Sequence, residues 1–225
     1  MFEPVSNGRV STEIVDRIKT AIRGGLLAPG DQLPAERDLT QQLGVSRVSV
    51  RDALRMLEAN GLIEVRVGAR DGAFVTAPAP KLVGEGLADM LLLAAVDPAQ
   101  VTEARMIFEL GILDLACERA TADDVAVLNE ICDRAEVSPY DPALSAEFHV
   151  QLARCTHNDA LALLAESLPL VSTLQRAREV DPAAGREGVR EHRSIAAAVA
   201  AQDSATARQI MTEHLGRTAA RLGAP

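Results

Sequence analysis

Three arginines, Arg47, Arg51 and Arg55, recur at i, i+4 and i+8, with Val50, Leu54 and Leu57 between and beyond them. At helical pitch this spacing gathers guanidinium groups on one face and core-forming side chains on the other. Arginine makes two hydrogen bonds to the major-groove edge of guanine, or contacts phosphate, and a helix fits that groove. The chemistry on offer is therefore recognition of double-stranded nucleic acid. Ser46 and Ser49 add short hydroxyls where a helix N-terminus favours phosphate. The plainer alternative is a solvated arginine face on an ordinary surface helix.

The chain has only four histidines, all in its second half: His149, His157, His192 and His214. His149, His192 and His214 fall in separate helical patterns, beside the apolar residues Phe148, Ile195 and Leu215. Imidazoles from three helices can converge inside a bundle and hold a divalent metal, although a single histidine is more often a satisfied or surface residue. Arg105 stands four residues before Glu109, the spacing of an intrahelical ion pair. Cys117, Cys132 and Cys155 form no C-x-x-C pair and read as buried, inert thiols of a reducing compartment.

These groups need elements to position them. The 225 residues allow one or two domains at roughly 150 residues each. Hydrophobic residues at 48% against 24% charged exclude a disordered chain. No Trp, one Tyr and four Phe argue against an all-β sandwich or an aromatic platform for single strands. The longest apolar stretch, Met90 to Val96, is too short to span a bilayer, and the start of the chain lacks a signal-peptide pattern. We expect a cytoplasmic protein without membrane partners.

The net charge of -9 would ordinarily count against nucleic acid. Residues 1–77, however, hold 10 basic and 10 acidic side chains, so the whole deficit lies beyond them. Thr76-Ala-Pro-Ala-Pro-Lys81 separates the halves with two helix-breaking prolines. The expected division is 8–77, a linker over 78–84, and 85–222.

In the first part, Ser11 is a candidate cap for a helix carrying Ile14, Ile18 and Ile22, ended by Gly24-Gly25. Pro34 suits the first turn of a second helix with Leu39 and Leu43, which Gly44 ends, and Ser46 caps a third. Residues 62–66 and 73–76 alternate as two short strands around a glycine-containing turn. In the second part Asp97-Pro98, Asp141-Pro142 and Asp181-Pro182 each pair a capping acid with proline at the first helical position. Thr121 with Asp124, Asn158 and Asp203 mark further helix starts. The expected fold is mostly α: a winged helix-turn-helix of three helices and a β-hairpin, then an antiparallel bundle of six or seven helices.

Leu33-Pro-Ala-Glu-Arg-Asp-Leu39, Leu43-Gly-Val-Ser-Arg47, Val50-Arg-Asp-Ala-Leu54, Leu57-Glu-Ala-Asn-Gly-Leu62 and Val67-Gly-Ala-Arg-Asp-Gly-Ala-Phe-Val75 resemble the winged-helix domain of the GntR family of bacterial transcription regulators. The resemblance covers residues 10 to 77. It implies that Arg37, Ser46, Arg47, Ser49, Arg51 and Gly68 occupy DNA-contacting positions, with Val48 replacing a small polar residue of some members. Read on its own, Arg37 could instead pair with a nearby acid.

The second half resembles the all-helical FCD ligand-binding domain of the FadR-type branch, through Glu103-Ala-Arg105 with Glu109, Phe148-His149, Asn158, Glu191-His192-Arg193, and Asp203 followed by Ala207, Met211 and His214-Leu215. Members with a metal site use an Asp one turn before the first of three histidines. The resemblance maps the histidines to His149, His192 and His214 and puts Ser145 at the Asp position. A serine hydroxyl ligates weakly, but three imidazoles can hold zinc with an open position, so zinc, nickel or manganese is the implied cofactor. Arg105 is implied to grip an effector carboxylate, with Arg176 or Arg178 as a second contact.

The sequence thus predicts a homodimeric repressor that binds a palindromic DNA operator and senses a small organic acid, and is not an enzyme. Two alternatives remain: a metal-free regulator with an acyl or other apolar ligand, and a metal-dependent enzyme fused to a DNA-binding domain.

Overall fold

The computed structural model describes residues 7–68, 71–137, 141–171 and 182–222. The chain divides into two compact units, residues 1–82 and 83–225.

The first unit runs α1 (Asn7–Arg23), α2 (Glu36–Leu43), α3 (Arg47–Ala59), β1 (Ile63–Arg66) and β2 (Gly72–Val75). Ile14, Val15 and Ile18 of α1, Leu39 of α2, and Val50, Leu54 and Leu57 of α3 close one apolar core with Ile63 and Val75 of the hairpin. Ser11 does not cap α1. It lies inside that helix and is buried, because the helix extends back through Val10, which packs on the core. Pro34 precedes α2 rather than opening it, and Ala35 takes the cap position.

Gly44 ends α2 in the left-handed conformation (φ 65°), from which its N–H reaches the Thr40 carbonyl. That geometry turns the chain within two residues into Ser46, whose hydroxyl accepts from the Ser49 N–H at 3.1 Å and opens α3. Ser46→Ala is expected to lower the unfolding free energy by about 0.5–2 kcal/mol in chemical denaturation, whereas an unchanged midpoint would mean the cap contributes nothing.

β1 and β2 pair antiparallel, Ile63 opposite Val75 and Arg66 opposite Gly72. The α1–α2 connection adds to this sheet. Gln32 bridges to Phe74, Leu33 N–H donates to Ala73, and Val75 N–H donates to Asp31. The hairpin is therefore anchored to the helical core by backbone bonds as well as by packing.

α4 (Pro80–Leu93) spans the unit boundary. Much of the expected linker 78–84 is thus helical, because Pro80 stands at the helix start, where its missing N–H costs nothing. There follow α5 (Pro98–Arg119), α6 (Ala122–Val137), α7 (Pro142–Arg154), α8 (Asp159–Val171), α9 (Pro182–Ala200) and α10 (Ser204–Leu222).

The acid-proline starts form as their chemistry dictates: Asp97 and Asp141 accept from the Ala99 and Ala143 N–H groups at 2.9 and 2.8 Å. Thr121 and Asp124 make a reciprocal capping box, and Asn158 and Asp203 cap α8 and α10. Asp181 lies outside the described residues. α5 packs against α7, α8, α9 and α10, and α6 against α7 and α9. The core between them is built from Leu, Ile, Ala and the three cysteines around Phe148, Leu152, Ile195 and Met211.

The cysteines are free and buried. Burial pushes Cys132 up to about 11 and Cys155 up to about 12, which leaves both as unreactive thiols.

Candidate functional site

On α3 the sequence periodicity separates the faces cleanly. Val50, Ala53, Leu54 and Leu57 are buried, while Arg47, Val48, Arg51 and Arg55 are exposed. Arg51 reaches back to α2, where its Nη2 donates to Glu36 Oε2 at 3.1 Å. This pair is open to solvent, so it orients the guanidinium without committing it strongly.

Arg37 is exposed, with its Nε 3.6 Å from Asp38, so the acid expected nearby is its sequence neighbour. Ser49 differs from the rest of the set. It is buried, and its hydroxyl sits 2.9 Å from that of Ser46. Ser46 itself remains exposed. Gly68 lies exposed at the hairpin tip with φ 120°, a conformation that favours glycine, and a Cβ there would meet nothing within 4 Å. The neighbouring Ala69 and Arg70 lie outside the described residues.

In the helical unit, three helices bring His149 (α7), His192 (α9) and His214 (α10) together. One ligand atom from each lies within 4.8 Å of the others, and all three residues are buried. His157 is excluded: it stands in the turn after α7 and pairs with Asp124 at 2.9 Å. Within the cluster, His192 Nε2 and His214 Nε2 face each other at 3.3 Å. The Phe148 ring stacks on His192 at 4.2 Å and 8°, fixing the plane of that imidazole.

Glu109 and Glu191 stand behind the cluster. Glu109, buried on α5, contacts His149 Nδ1 with one oxygen and Arg105 Nε with the other. Glu191 Oε2 lies 2.7 Å from His214 Nδ1, and the same carboxylate is paired with Arg217. Arg105 therefore makes the ion pair its spacing suggested, through Nε. Arg176 and Arg178, the candidates for a second contact, lie outside the described residues. Glu147, six residues after the Asp141 cap and two before His149, is turned away to Arg134 at 2.8 Å.

Electrostatics favour the neutral form of His149 and His192. Burial, opposed by the Glu109 charge, lowers His149. Burial together with His214 and His149 holds His192 well below its ordinary value. Burial pushes Glu109 upward, but Arg105 and His149 outweigh it and hold the carboxyl well below the usual range. Glu109 is thus held ionised, with the Arg105 charge the largest influence opposing its burial. Sequence reasoning passed over both glutamates as positioning groups. The Arg105–Glu109 spacing was a signal for one, whereas Glu191 meets His214 only through the packing of α9 on α10.

Residues 10–75 match the family described as "Bacterial regulatory proteins, gntR family", and residues 100–217 match the FCD domain. The chain belongs to the GntR family. Over 95% of its length it is 30% identical to the Uxu operon regulator of Haemophilus influenzae, covering 82% of that protein. It is likewise 30% identical to the transcriptional regulator LutR of Bacillus subtilis, over 86% of this chain and 92% of the relative. The Streptococcus agalactiae GntR structure shares the fold, with a TM-score of 0.64 and 24% identity over 93% of this chain and 98% of that one.

This GntR-family protein is therefore a DNA-binding transcription regulator with an FCD domain, and its relatives are regulators rather than enzymes. Among the described residues no helix is long and apolar enough to cross a membrane.

Proposed function

We propose that the protein is a homodimeric repressor, responsive to a small carboxylate that binds at a divalent metal held by His149, His192 and His214. The convergence of three buried imidazoles carries this reading. The donor set fits a divalent ion. Three neutral nitrogens make a site with an open position, and the buried His149 Nε2 has no hydrogen-bond partner among the described residues. When bound, the metal supplies a Lewis-acidic positive charge for an effector carboxylate. Ser145 leaves the set without a carboxylate of its own, which favours an anionic effector in the remaining position.

Arg105 Nη groups extend the same charge complementarity towards the acid. At the other unit, Arg47, Arg51 and Arg55 read the major groove, with Arg37, Ser46 and the Gly68 tip on the backbone; Ser49 acts through Ser46, given its burial. Two copies match the halves of a palindromic operator by symmetry. The effector shifts the population between domain arrangements of different operator affinity.

Elemental analysis after denaturing extraction is expected to find about one zinc, nickel or manganese per chain. Operator binding should weaken when a small organic acid is added, and chelation should blunt that response. Metal-free protein whose effector affinity ignores chelators overturns the metal, and a co-extracted acyl compound would replace the carboxylate with an apolar ligand. His149→Ala should leave operator binding intact while reducing the effector response; loss of DNA binding in folded protein would overturn the division of labour.

A further inference from the structure

In the histidine cluster the His192 ring lies against an apolar partner, the stacked Phe148. The other two rings each face a carboxylate with Nδ1, His214 within hydrogen-bond distance of Glu191 and His149 in close ionic contact with Glu109, and each carboxylate is paired with an arginine. The order is Arg105–Glu109–His149 on one side and Arg217–Glu191–His214 on the other. The two series come from different helices: α5 and α7 supply the first, α9 and α10 the second. Their resemblance is one of chemistry rather than of sequence, since no common motif joins them.

A neutral imidazole carries one proton, and the hydrogen bond made by one nitrogen decides which nitrogen holds it. An ionised carboxylate only accepts, so a ring facing it presents Nδ1–H. Nε2 is then left with a lone pair directed away from the carboxylate, towards the other histidines. Each carboxylate is held in place by an arginine, Glu109 by Arg105 and Glu191 by Arg217.

We propose that Glu109 and Glu191 are positioning residues that fix His149 and His214 in the Nδ1–H form and aim their Nε2 lone pairs at a shared metal. The inference rests on the metal reading above, but its first consequence belongs to the metal-free protein. Free histidine prefers the proton on Nε2, so the reverse form at two named rings is a diagnostic signature.

The test begins with long-range proton–nitrogen NMR of histidine-labelled, chelator-treated full-length protein at neutral pH. His149 and His214 are expected to show protonated Nδ1 and unprotonated Nε2; protonation of Nε2 in either ring overturns the inference without reference to any metal. Zinc titration against a chromogenic chelator then compares wild type with Glu109→Gln and Glu191→Gln, using thermal melts to verify folding. Each substitution should weaken zinc binding by about 10–100-fold and shift the tautomer of its own histidine only. Unchanged zinc affinity in both folded variants overturns the inference alone. A wild-type protein that takes up no zinc, nickel or manganese overturns the metal reading and the inference with it.

Discussion

Phe148→Ala is expected to destabilise the helical unit by about 3–5 kcal/mol, the largest effect of any single substitution considered. Phe148 is fully buried in the core of the helical unit, so its removal leaves a space that only a rearrangement of its neighbours can fill. Its loss removes apolar contact with Leu152 and Ile195 and opens a cavity among helices held by close packing. It also removes the parallel stack on His192. Two readouts should move together: the denaturation midpoint of the helical unit, and the affinity for zinc. Phe148→Leu, which restores most of the volume but no ring, should recover much of the stability and little of the orientation of His192. A loss below about 1 kcal/mol for the alanine variant would mean that the core collapses around the site.

Arg47→Ala and Arg51→Ala should each reduce specific operator binding by about 1–3 kcal/mol if the side chain reads a base. Both guanidinium groups are exposed on the face of α3 opposite Val50, Leu54 and Leu57, so truncation leaves the core untouched. The decisive measurement is the ratio of specific to non-specific affinity across a salt series. A base-reading arginine lowers the ratio, whereas a phosphate-contacting one leaves it unchanged and reduces the salt slope by about 1. Arg51 carries an additional expectation. Glu36 orients its guanidinium from α2, so Glu36→Gln should alter the specificity ratio in the same direction as Arg51→Ala, by a smaller amount. Wild-type specificity in both arginine variants would remove α3 as the reading element.

Much of the site was legible before any coordinates. The division of α3 into a guanidinium face and a core face followed from spacing alone, because a helix of this length has one dominant periodicity. The three histidines were legible as candidates only. Their separations of 43 and 22 residues carry no geometric information, and the resemblance supplied the grouping. The burial of Ser49 was missed because Ser46 and Ser49 look equivalent as hydroxyls near a helix start. In the fold, one faces solvent and the other faces the first.

The errors at boundaries have one cause. Ser11 is a strong local cap, and Pro80 a strong local breaker, yet each was overridden or repurposed. Val10 gains burial by extending α1, and Pro80 begins a helix instead of ending one. Local signals give the options, and packing selects among them.

By itself, the sequence determined the class of the protein: a neutral DNA-binding unit with a basic helix face, joined to an acidic helical unit whose starts are written in Asp-Pro and Thr-x-x-Asp. These features act over one or two helical turns, so their chemistry is complete within the segment that encodes it. Only the tertiary structure decided that Glu109 and Glu191 stand behind His149 and His214, that Phe148 lies flat on His192, and that the 28–33 connection joins the hairpin. Each of these contacts joins groups whose separation is fixed by how helices and strands pack, a distance that no local spacing contains.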